Sequence, residues 1–314
     1  MPSPGSLPLI ALIGATGIGK TALAIQIAQR FNGEIVGADS RQIYRSMEIG
    51  TAKPTPAERA AAPHHLIDVT DPDQPLTLAE YQALAYAAIE NIHQRGKLPL
   101  LVGGTGQYVT AVLEGWQTPE VPPNAALRAE LEALAAEGGT AALVERLRAL
   151  DPDSAARIDP HNARRLIRAL EVCLISGQPF SQQRRKAPPP YRVLEIGLHL
   201  PREVLFPRLD ARIDHMMEVG LLAEVEALRE RGYDWRLPAM SGLGYAQLGA
   251  YLRGECSLEA AVAAIKRETR TFVRRQETWF RHHGAPQWFT AMDTAAVFNT
   301  IAVWHNYHVA SGDR

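Results

Sequence analysis

A glycine-rich loop near the start of the chain has the residue types needed to hold a polyphosphate. Residues 14–21 read Gly-Ala-Thr-Gly-Ile-Gly-Lys-Thr, between an apolar run and a helical pattern rich in alanine and isoleucine. This order of strand, loop and helix is the context in which the P-loop motif predicts phosphate binding. Its N–H groups and the positive end of the helix attract phosphate, Lys20 would neutralise terminal charge, and Thr21 would offer its hydroxyl to Mg²⁺. The loop alone does not identify the ligand.

Two further strand ends carry candidate catalytic residues. Asp39 follows an apolar run, which places it beside the phosphate loop, where it could accept a proton from a nucleophile. Capping a helix, or holding Mg²⁺ through water, is an equally supported role for this carboxylate. A third apolar run ends in Gly103-Gly104-Thr105, with glycine where the Walker-B strand of an ordinary ATPase ends in aspartate. Thr105 and the flanking amides are therefore predicted to face the phosphate.

The elements that must position these residues alternate between strand and helix. Apolar runs at 7–13, 34–38, 98–102 and 193–200 are typical of buried parallel strands, and helical patterns separate them. This alternation predicts an α/β fold, a P-loop NTPase-like doubly wound parallel sheet with helices on both faces. Ligands of such sheets bind beyond the carboxyl ends of the strands, so the three strand ends should form one site.

A proline-bracketed segment interrupts this alternation. Proline clusters lie at 119–123 and 188–190, and between them helical patterns cover 125–136, 140–150 and 160–176. We interpret residues 118–190 as an inserted helical subdomain, within a core formed by 1–117 and 191–314. More helices on the same core is the alternative. After residue 200, helical patterns cover 202–218, 221–231, 240–253 and 257–281.

Two clusters of basic residues fall outside the predicted sheet. The first contains Arg164, Arg165, Arg168, Arg184, Arg185 and Lys186, and the second contains Arg267, Arg270, Arg274 and Arg281 at helical spacing. Val262, Ile265, Phe272 and Trp279 fall on the opposite side of the second helix and should face a core. A solvated charged face is the alternative, but the excess of arginine favours binding to a phosphate backbone.

Composition sets the remaining expectations. The 314 residues have a net charge of −1, so a nucleic-acid surface must be a local patch. Cys173 and Cys256 lie far apart, and no signal peptide or membrane span is evident, so we expect a cytoplasmic, monomeric protein that does not bind a membrane. His64 and His65 are adjacent and precede Asp68, which favours histidine–aspartate packing beneath the site over metal binding.

The motifs together resemble one family, the tRNA dimethylallyltransferases, over nearly the whole chain. The phosphate loop alone is shared by many unrelated enzymes, whereas the order of the Asp-Ser-x-Gln-x-Tyr and Gly-Gly-Thr-Gly-x-Tyr elements is specific. The matching stretches are 14–21, 39–45, 49–54, 64–68, 103–108, 162–171, 244–245, 269–270 and 275–281.

The resemblance implies an enzyme that transfers the dimethylallyl group of dimethylallyl diphosphate to N6 of the adenosine immediately 3′ of the anticodon in tRNA, with Mg²⁺. It implies that Asp39 is the general base, that Thr105 and Arg212 stabilise the diphosphate, and that Ser40 and Gln42 read the adenine. The implied diphosphate-binding residues are Gly14, Ala15, Thr16, Gly17, Ile18, Gly19, Lys20 and Thr21, with Thr21 also at the metal. The expected tRNA contacts are Asp39, Ser40, Arg41, Gln42, Thr105, Arg128, Asn162, Ala163, Arg164, Arg165, Leu166, Gly244, Tyr245, Arg270, Arg274 and Arg275.

Three other functions fit part of the pattern. A small-molecule P-loop kinase would hold ATP in the loop, an adenylate isopentenyltransferase would prenylate a free nucleotide, and an RNA-binding module would keep a vestigial loop. The basic clusters argue against the first two, and Lys20, Thr21 and Asp39 argue against the third. Arg41 occupies a position that is commonly uncharged in the family, and Ser241-Gly242-Leu243 and Ala246 also depart from the usual residues.

Overall fold

The computed structural model describes residues 7–117, 119, 121–183 and 185–309, with side chains through residue 305. The chain divides into two units: Met1–Leu113 together with Pro189–Arg314, and Glu114–Pro188. The second unit begins at residue 114 rather than the predicted 118, and it ends at 188 rather than 190.

The strands build one parallel sheet and one short antiparallel pair. In chain order they are β1 (Leu7–Gly14), β2 (Gly33–Ala38), β3 (His64–His65), β4 (Leu98–Gly103), β5 (Trp116–Gln117), β6 (Arg185–Lys186), β7 (Tyr191–His199) and β8 (Gln287–Thr290). The sheet of the first unit has the order β3-β2-β4-β1-β7-β8, with every neighbouring pair parallel. The carboxyl ends of β1, β2 and β4 are therefore adjacent.

Thirteen helices are found in the described residues. They are α1 (Lys20–Arg30), α2 (Pro56–Ala61), α3 (Leu78–Gln94), α4 (Gly106–Glu114), α5 (Ala125–Leu150), α6 (Pro152–Arg157), α7 (Ala163–Ser176), α8 (Phe180–Gln183), α9 (Arg202–Glu218), α10 (Leu221–Glu230), α11 (Tyr245–Leu252), α12 (Leu258–His282) and α13 (Thr294–Val309). A short 3₁₀ turn at Ala239–Ser241 precedes α11. None of these helices combines the length and the apolar content needed to cross a membrane.

Helices cover both faces of the sheet because its central strands are apolar on both sides. Alternate residues of a strand point to opposite faces: Ile10 and Leu12 pack in a core with α1, α9 and α13, whereas Leu9 and Ile13 pack in a core with α3, α4 and α12. A third core joins the segment after β2 to α10, α11 and the start of α12. The predicted α/β doubly wound fold is confirmed.

The second unit has its own helical core. Leu131, Leu143 and Leu147 of α5 pack against Leu166 and Leu170 of α7, and all five side chains are fully buried. The helix α5 is broken at Gly139, whose backbone (φ 68°, ψ −179°) is not helical. This break separates the two helical stretches that the sequence predicts at 125–136 and 140–150.

The sequence pattern does not predict two short edge strands, β3 and β8. The strand β3 consists of His64 and His65 alone, and His65 Nε2 lies 2.7 Å from the buried Glu34 carboxylate. The hydrogen-bond partner of His65 is therefore Glu34, and Asp68 accepts a hydrogen bond of 2.6 Å from Lys53. The strand β8 adds to β7 at the other edge, within a tail whose sequence shows no clear strand pattern.

Candidate active site

The phosphate loop connects the end of β1 to the start of α1, as predicted. Gly14, Gly17 and Gly19 all have positive φ angles, of 148°, 77° and 103°. Gly17 also has no room for a side chain, since a Cβ there would lie 2.4 Å from Leu209 of α9. Left-handed backbone and this close approach both favour glycine, so the loop can turn tightly at the amino end of α1.

Lys20 lies across the loop. Its Nζ donates hydrogen bonds to the carbonyl oxygens of Gly14 (2.9 Å) and Ala15 (2.7 Å). Burial lowers the pKa of Lys20 from 10.5 to about 8, while the charge of Asp39 raises it and that of Arg212 lowers it. The Lys20 ammonium has three N–H donors. Two of them bind the loop, so the third can donate to a phosphate oxygen.

Two arginines of α9 approach the same loop. Arg212 donates a hydrogen bond of 3.1 Å to Thr16 Oγ1, and burial lowers its pKa, with a further decrease from Arg208. Arg212 Nε is buried and has no hydrogen-bond partner among the described residues. Arg208 was not among the predicted site residues, and its Nη2 lies 3.9 Å from the position of a Cβ on Gly19. Its spacing of four residues from Arg212, on the same face of a predicted helix, was the available signal.

Asp39 and Thr105 meet at the ends of β2 and β4. Thr105 N donates to the Ala38 carbonyl (3.2 Å), and Thr105 Oγ1 accepts from Ser40 N (3.0 Å). The Asp39 carboxylate accepts hydrogen bonds from Arg41 N (2.8 Å) and Gln42 N (3.4 Å), which close a turn around it. Its charge acts on both Lys20 and Arg212. The structure thus brings together Asp39, Thr105, Arg212 and the phosphate loop; their catalytic roles stay predictions.

The residues after Asp39 are fixed by two different parts of the chain. Gln42 Nε2 donates to the carbonyl oxygens of Thr51 (3.1 Å) and Ala52 (3.2 Å). The Arg41 guanidinium donates to the Pro238 carbonyl and to Ser241 Oγ (3.2 Å), at the turn before α11. Arg41 and Ser241 are therefore in contact.

Tyr245, one of the predicted tRNA contacts, is buried in the third core. The Tyr245 side chain is 1% exposed and packs on Gly50, and its hydroxyl donates to Glu224 (2.6 Å). The same carboxylate accepts from the backbone of Glu48, Ile49 and Gly50. This pair ties the segment after β2 to α10 and α11, so Tyr245 has a role in the core; its contact with tRNA stays a prediction.

The predicted tRNA contacts of the second unit divide into buried and exposed residues. Arg164 and Arg165 are exposed, and Ala163 is half-buried. Asn162 caps α7 by accepting from Arg165 N (3.1 Å). Leu166 is fully buried in the core of this unit, and its contact with tRNA stays a prediction. Arg184 lies outside the described residues.

Arg128 is paired with a buried carboxylate in the same unit. Its guanidinium donates to both oxygens of Glu171 at 2.8 Å, and Arg168 also donates to Glu171 (2.6 Å). These arginines and the backbone N–H of Asn124 hold the pKa of Glu171 at about 2 against the opposing effect of burial. Glu171 therefore fixes two half-exposed guanidiniums on one side of this unit.

The long helix α12 presents arginines on one side, but its buried face differs from the predicted one. The buried residues are Ala261, Ile265, Thr269, Val273, Gln276 and Phe280, whereas Val262, Phe272 and Trp279 are only half-buried. Of the predicted arginines, Arg270 pairs with Asp210, and the Arg274 guanidinium lies 5.7 Å from the Phe206 ring centroid. Arg275 is exposed, with its guanidinium 6.0 Å from the ring of Phe272.

The metal prediction rests on one side chain. Thr21 is half-buried in the first turn of α1, next to Lys20. Across the described part of the chain, no group of three or more histidine, cysteine, aspartate or glutamate residues could hold a metal ion.

A parallel sheet with a phosphate-type loop between its first strand and helix defines a class of α/β proteins, and comparisons with known proteins identify the family. A family model described as IPP transferase matches residues 42–283. Proteins named tRNA dimethylallyltransferase from Roseiflexus sp. (strain RS-1) and Chloroflexus aurantiacus (strain J-10-fl) are each 58% identical to this chain. These matches cover 88% and 87% of the chain, and 90% and 92% of the relatives.

Solved structures are similar over almost the full length. The tRNA isopentenylpyrophosphate transferase of Bacillus halodurans aligns with a TM-score of 0.74 and 38% identity, covering 98% of this chain and 99% of that one. A eukaryotic dimethylallyltransferase, described as acting on tRNA, aligns with a TM-score of 0.81 and 28% identity, covering 96% and 79%. The chain belongs to the IPP transferase family, so the resemblance predicted from its motifs is confirmed.

Proposed function

We propose that this protein transfers the dimethylallyl group of dimethylallyl diphosphate to N6 of the adenosine immediately 3′ of the anticodon in tRNA, releasing diphosphate. The observation that carries the proposal is the convergence of Asp39 and Thr105 with the phosphate loop and Arg212, in a chain whose relatives are named tRNA dimethylallyltransferases. Such a site offers a base and a cationic pocket within one cleft of the sheet edge.

The cations around the loop support binding of the donor and departure of its diphosphate. When the bond between the allylic carbon and oxygen breaks, negative charge grows on the diphosphate. Lys20, Arg208 and Arg212 would stabilise that charge, and they are already in place before the reaction. Residues 14–21 supply the backbone N–H groups that surround it.

Thr21 could be a ligand of a Mg²⁺ ion that the donor's phosphates and water would also bind. Mg²⁺ keeps several waters and takes few protein ligands, and a hydroxyl directly after the loop lysine is a suitable one. When bound, the ion would neutralise charge on the diphosphate.

Asp39 is suited to be the general base. N6 of adenine attacks the allylic carbon, a carbon–nitrogen bond forms as the carbon–oxygen bond breaks, and the N6 proton passes to the Asp39 carboxylate. The turn formed with the N–H groups of Arg41 and Gln42 holds this carboxylate at the tip of β2. The adenine must leave its stack to reach a site at the edge of a sheet.

Exposed arginines on both units support a tRNA acceptor. Arg164 and Arg165 in the second unit, and Arg274 and Arg275 on α12, are accessible to a phosphate backbone. A small-molecule kinase and an adenylate isopentenyltransferase need no such surfaces, and the relatives described above carry neither name. We also propose that the protein is a cytoplasmic monomer; its two cysteines are free thiols, as a reducing compartment favours.

A transfer assay tests the function. Purified protein, Mg²⁺ and labelled dimethylallyl diphosphate are mixed with unmodified tRNA, with AMP and ATP as parallel substrates. We expect label in tRNA alone, and a tRNA transcript with guanosine at the target position is the matched control that should stay unlabelled. Label in AMP would instead assign the adenylate reaction, and ATP turnover without prenyl transfer would assign a kinase.

A further inference from the structure

A buried glutamine of α12 connects two loops of the candidate site. Gln276 is 6% exposed. Its Oε1 accepts a hydrogen bond from the backbone N–H of Thr16 (2.9 Å), and its Nε2 donates to the carbonyl of Gly104 (2.8 Å). One side chain thus spans the phosphate loop and the loop that carries Thr105.

The two hydrogen bonds explain why this position holds an amide. A side chain here must present a donor and an acceptor at once, and a glutamine amide does so without charge. Leucine would be less costly to bury if the position only filled space, because a buried polar group requires partners. The Gln276 amide also lies close to the backbone of Gly104: a Cβ on Gly104 would lie 2.4 Å from Gln276 Nε2.

Thr16 is held from two helices through different atoms. Gln276 of α12 holds its N–H, and Arg212 of α9 donates to its hydroxyl at 3.1 Å. The peptide plane of Thr16 lies in the middle of the phosphate loop, so its orientation determines where the neighbouring N–H groups point. Without Gln276, the Thr16 N–H and the Gly104 carbonyl would each lose their partner, and the loop could rotate.

We propose that Gln276 is a positioning residue for diphosphate binding: it fixes the Thr16 peptide relative to the Gly104 carbonyl. The inference rests on the proposed function, in which residues 14–21 hold the donor's diphosphate. Gln276 acts through the backbone of the two loops and not by contact with the reacting atoms.

Binding of inorganic diphosphate to Gln276→Leu, measured by calorimetry with Mg²⁺, tests the role directly. We expect the dissociation constant for diphosphate to be about tenfold larger than that of the wild type, because the loop is no longer preorganised. In steady-state assays the KM for dimethylallyl diphosphate should rise while the KM for tRNA stays unchanged. The matched control is Gln247→Leu, because Gln247 on α11 also uses both ends of its amide, accepting from Gly244 N and donating to Glu268, and should leave diphosphate binding unchanged.

A second variant, Gln276→Glu, tests the same role in case Gln276→Leu does not fold. Gln276→Glu keeps the size and the acceptor for Thr16 N–H, but its carboxylate cannot donate to Gly104, so it should also weaken diphosphate binding. Wild-type affinity in a folded Gln276 variant, or equal weakening by Gln247→Leu, would overturn the role. Because the titration needs no transfer, a wild-type protein that binds diphosphate but prenylates nothing would refute the proposed function and leave this inference standing.

Discussion

Affinity for the donor should fall as pH rises through the pKa of Lys20. Burial lowers this pKa to about 8, so about nine tenths of the side chains are charged at pH 7 and about one tenth at pH 9. Only the ammonium attracts the diphosphate, so the affinity should fall about tenfold between these pH values, which is about 1.4 kcal/mol of binding free energy. A lysine with the ordinary pKa of 10.5 would remain charged across this range.

Calorimetric titration with dimethylallyl diphosphate and Mg²⁺ at the two pH values measures the effect. The matched control is Lys20→Arg, because a guanidinium stays charged throughout and any pH dependence that arises in the ligand remains. The ratio of wild-type to Lys20→Arg affinity should therefore fall about tenfold from pH 7 to pH 9. A constant ratio would show that Lys20 is not the group that controls binding, or that its pKa is not lowered.

Three further outcomes follow from the site and the core. Asp39→Asn keeps the acceptor for Arg41 N but removes the base, so turnover should drop by about 10²–10⁴-fold with tRNA affinity unchanged; wild-type turnover would remove Asp39 from the mechanism. Arg274→Ala should weaken tRNA binding and reduce the slope of log affinity against log salt by about 1, and an equal slope would make Arg274 ordinary surface. Glu34→Gln should lower the free energy of unfolding by about 3 kcal/mol at pH 7, because Arg95, Lys97 and His65 lose a buried carboxylate. The pKa of Glu34 is lowered by these partners, so its stabilisation is full above the ordinary value of 4.5 and decreases as the pH falls below it. In denaturant melts the difference in unfolding free energy between the two proteins should therefore be smaller at pH 3 than at pH 7, and a constant difference would contradict the role.

The sequence predicted where the main strands lie along the chain and which polar residues follow them, because buried parallel strands are continuous apolar runs. The predicted runs at 7–13, 34–38 and 98–102 correspond to β1, β2 and β4, and the ends of all three meet. The strand β3 has two residues, and both are histidines, so no apolar run could reveal it. Its position follows from long-range pairing with Ile35 and Val36, which no local pattern encodes.

Helix faces were harder to predict than helix bounds. On α12 the buried residues recur every three or four positions from Ala261 to Phe280 and include Thr269 and Gln276, which a hydrophobicity pattern does not select. Polar side chains are buried there because other elements offer partners, such as the Thr16 N–H and the Gly104 carbonyl for Gln276. Partners 172 or more residues away along the chain are invisible to a local pattern.

Motif resemblance identified the family but not what each shared residue does. Tyr245 and Leu166 belong to matching stretches, yet both are buried, and each stabilises its own core. The Gly-Tyr motif has a structural reason in this chain: the Tyr245 ring packs on Gly50, and its hydroxyl meets Glu224, which also accepts three backbone N–H groups of the segment after β2. A family pattern therefore records constraints from folding as well as from chemistry.

The hydrogen bonds of Arg41 hold a charged side chain close to the predicted general base. Arg41 follows Ser40 in the loop predicted to read the adenine, and a long cation there could enter the site. In this chain the guanidinium is instead held by the Pro238 carbonyl and Ser241 Oγ, and the Ser241 hydroxyl itself donates to Pro238 (2.6 Å). Ser241 thus supplies an acceptor for Arg41. Because Arg41 lies two residues after Asp39, these hydrogen bonds fix the backbone next to Asp39 from the turn before α11.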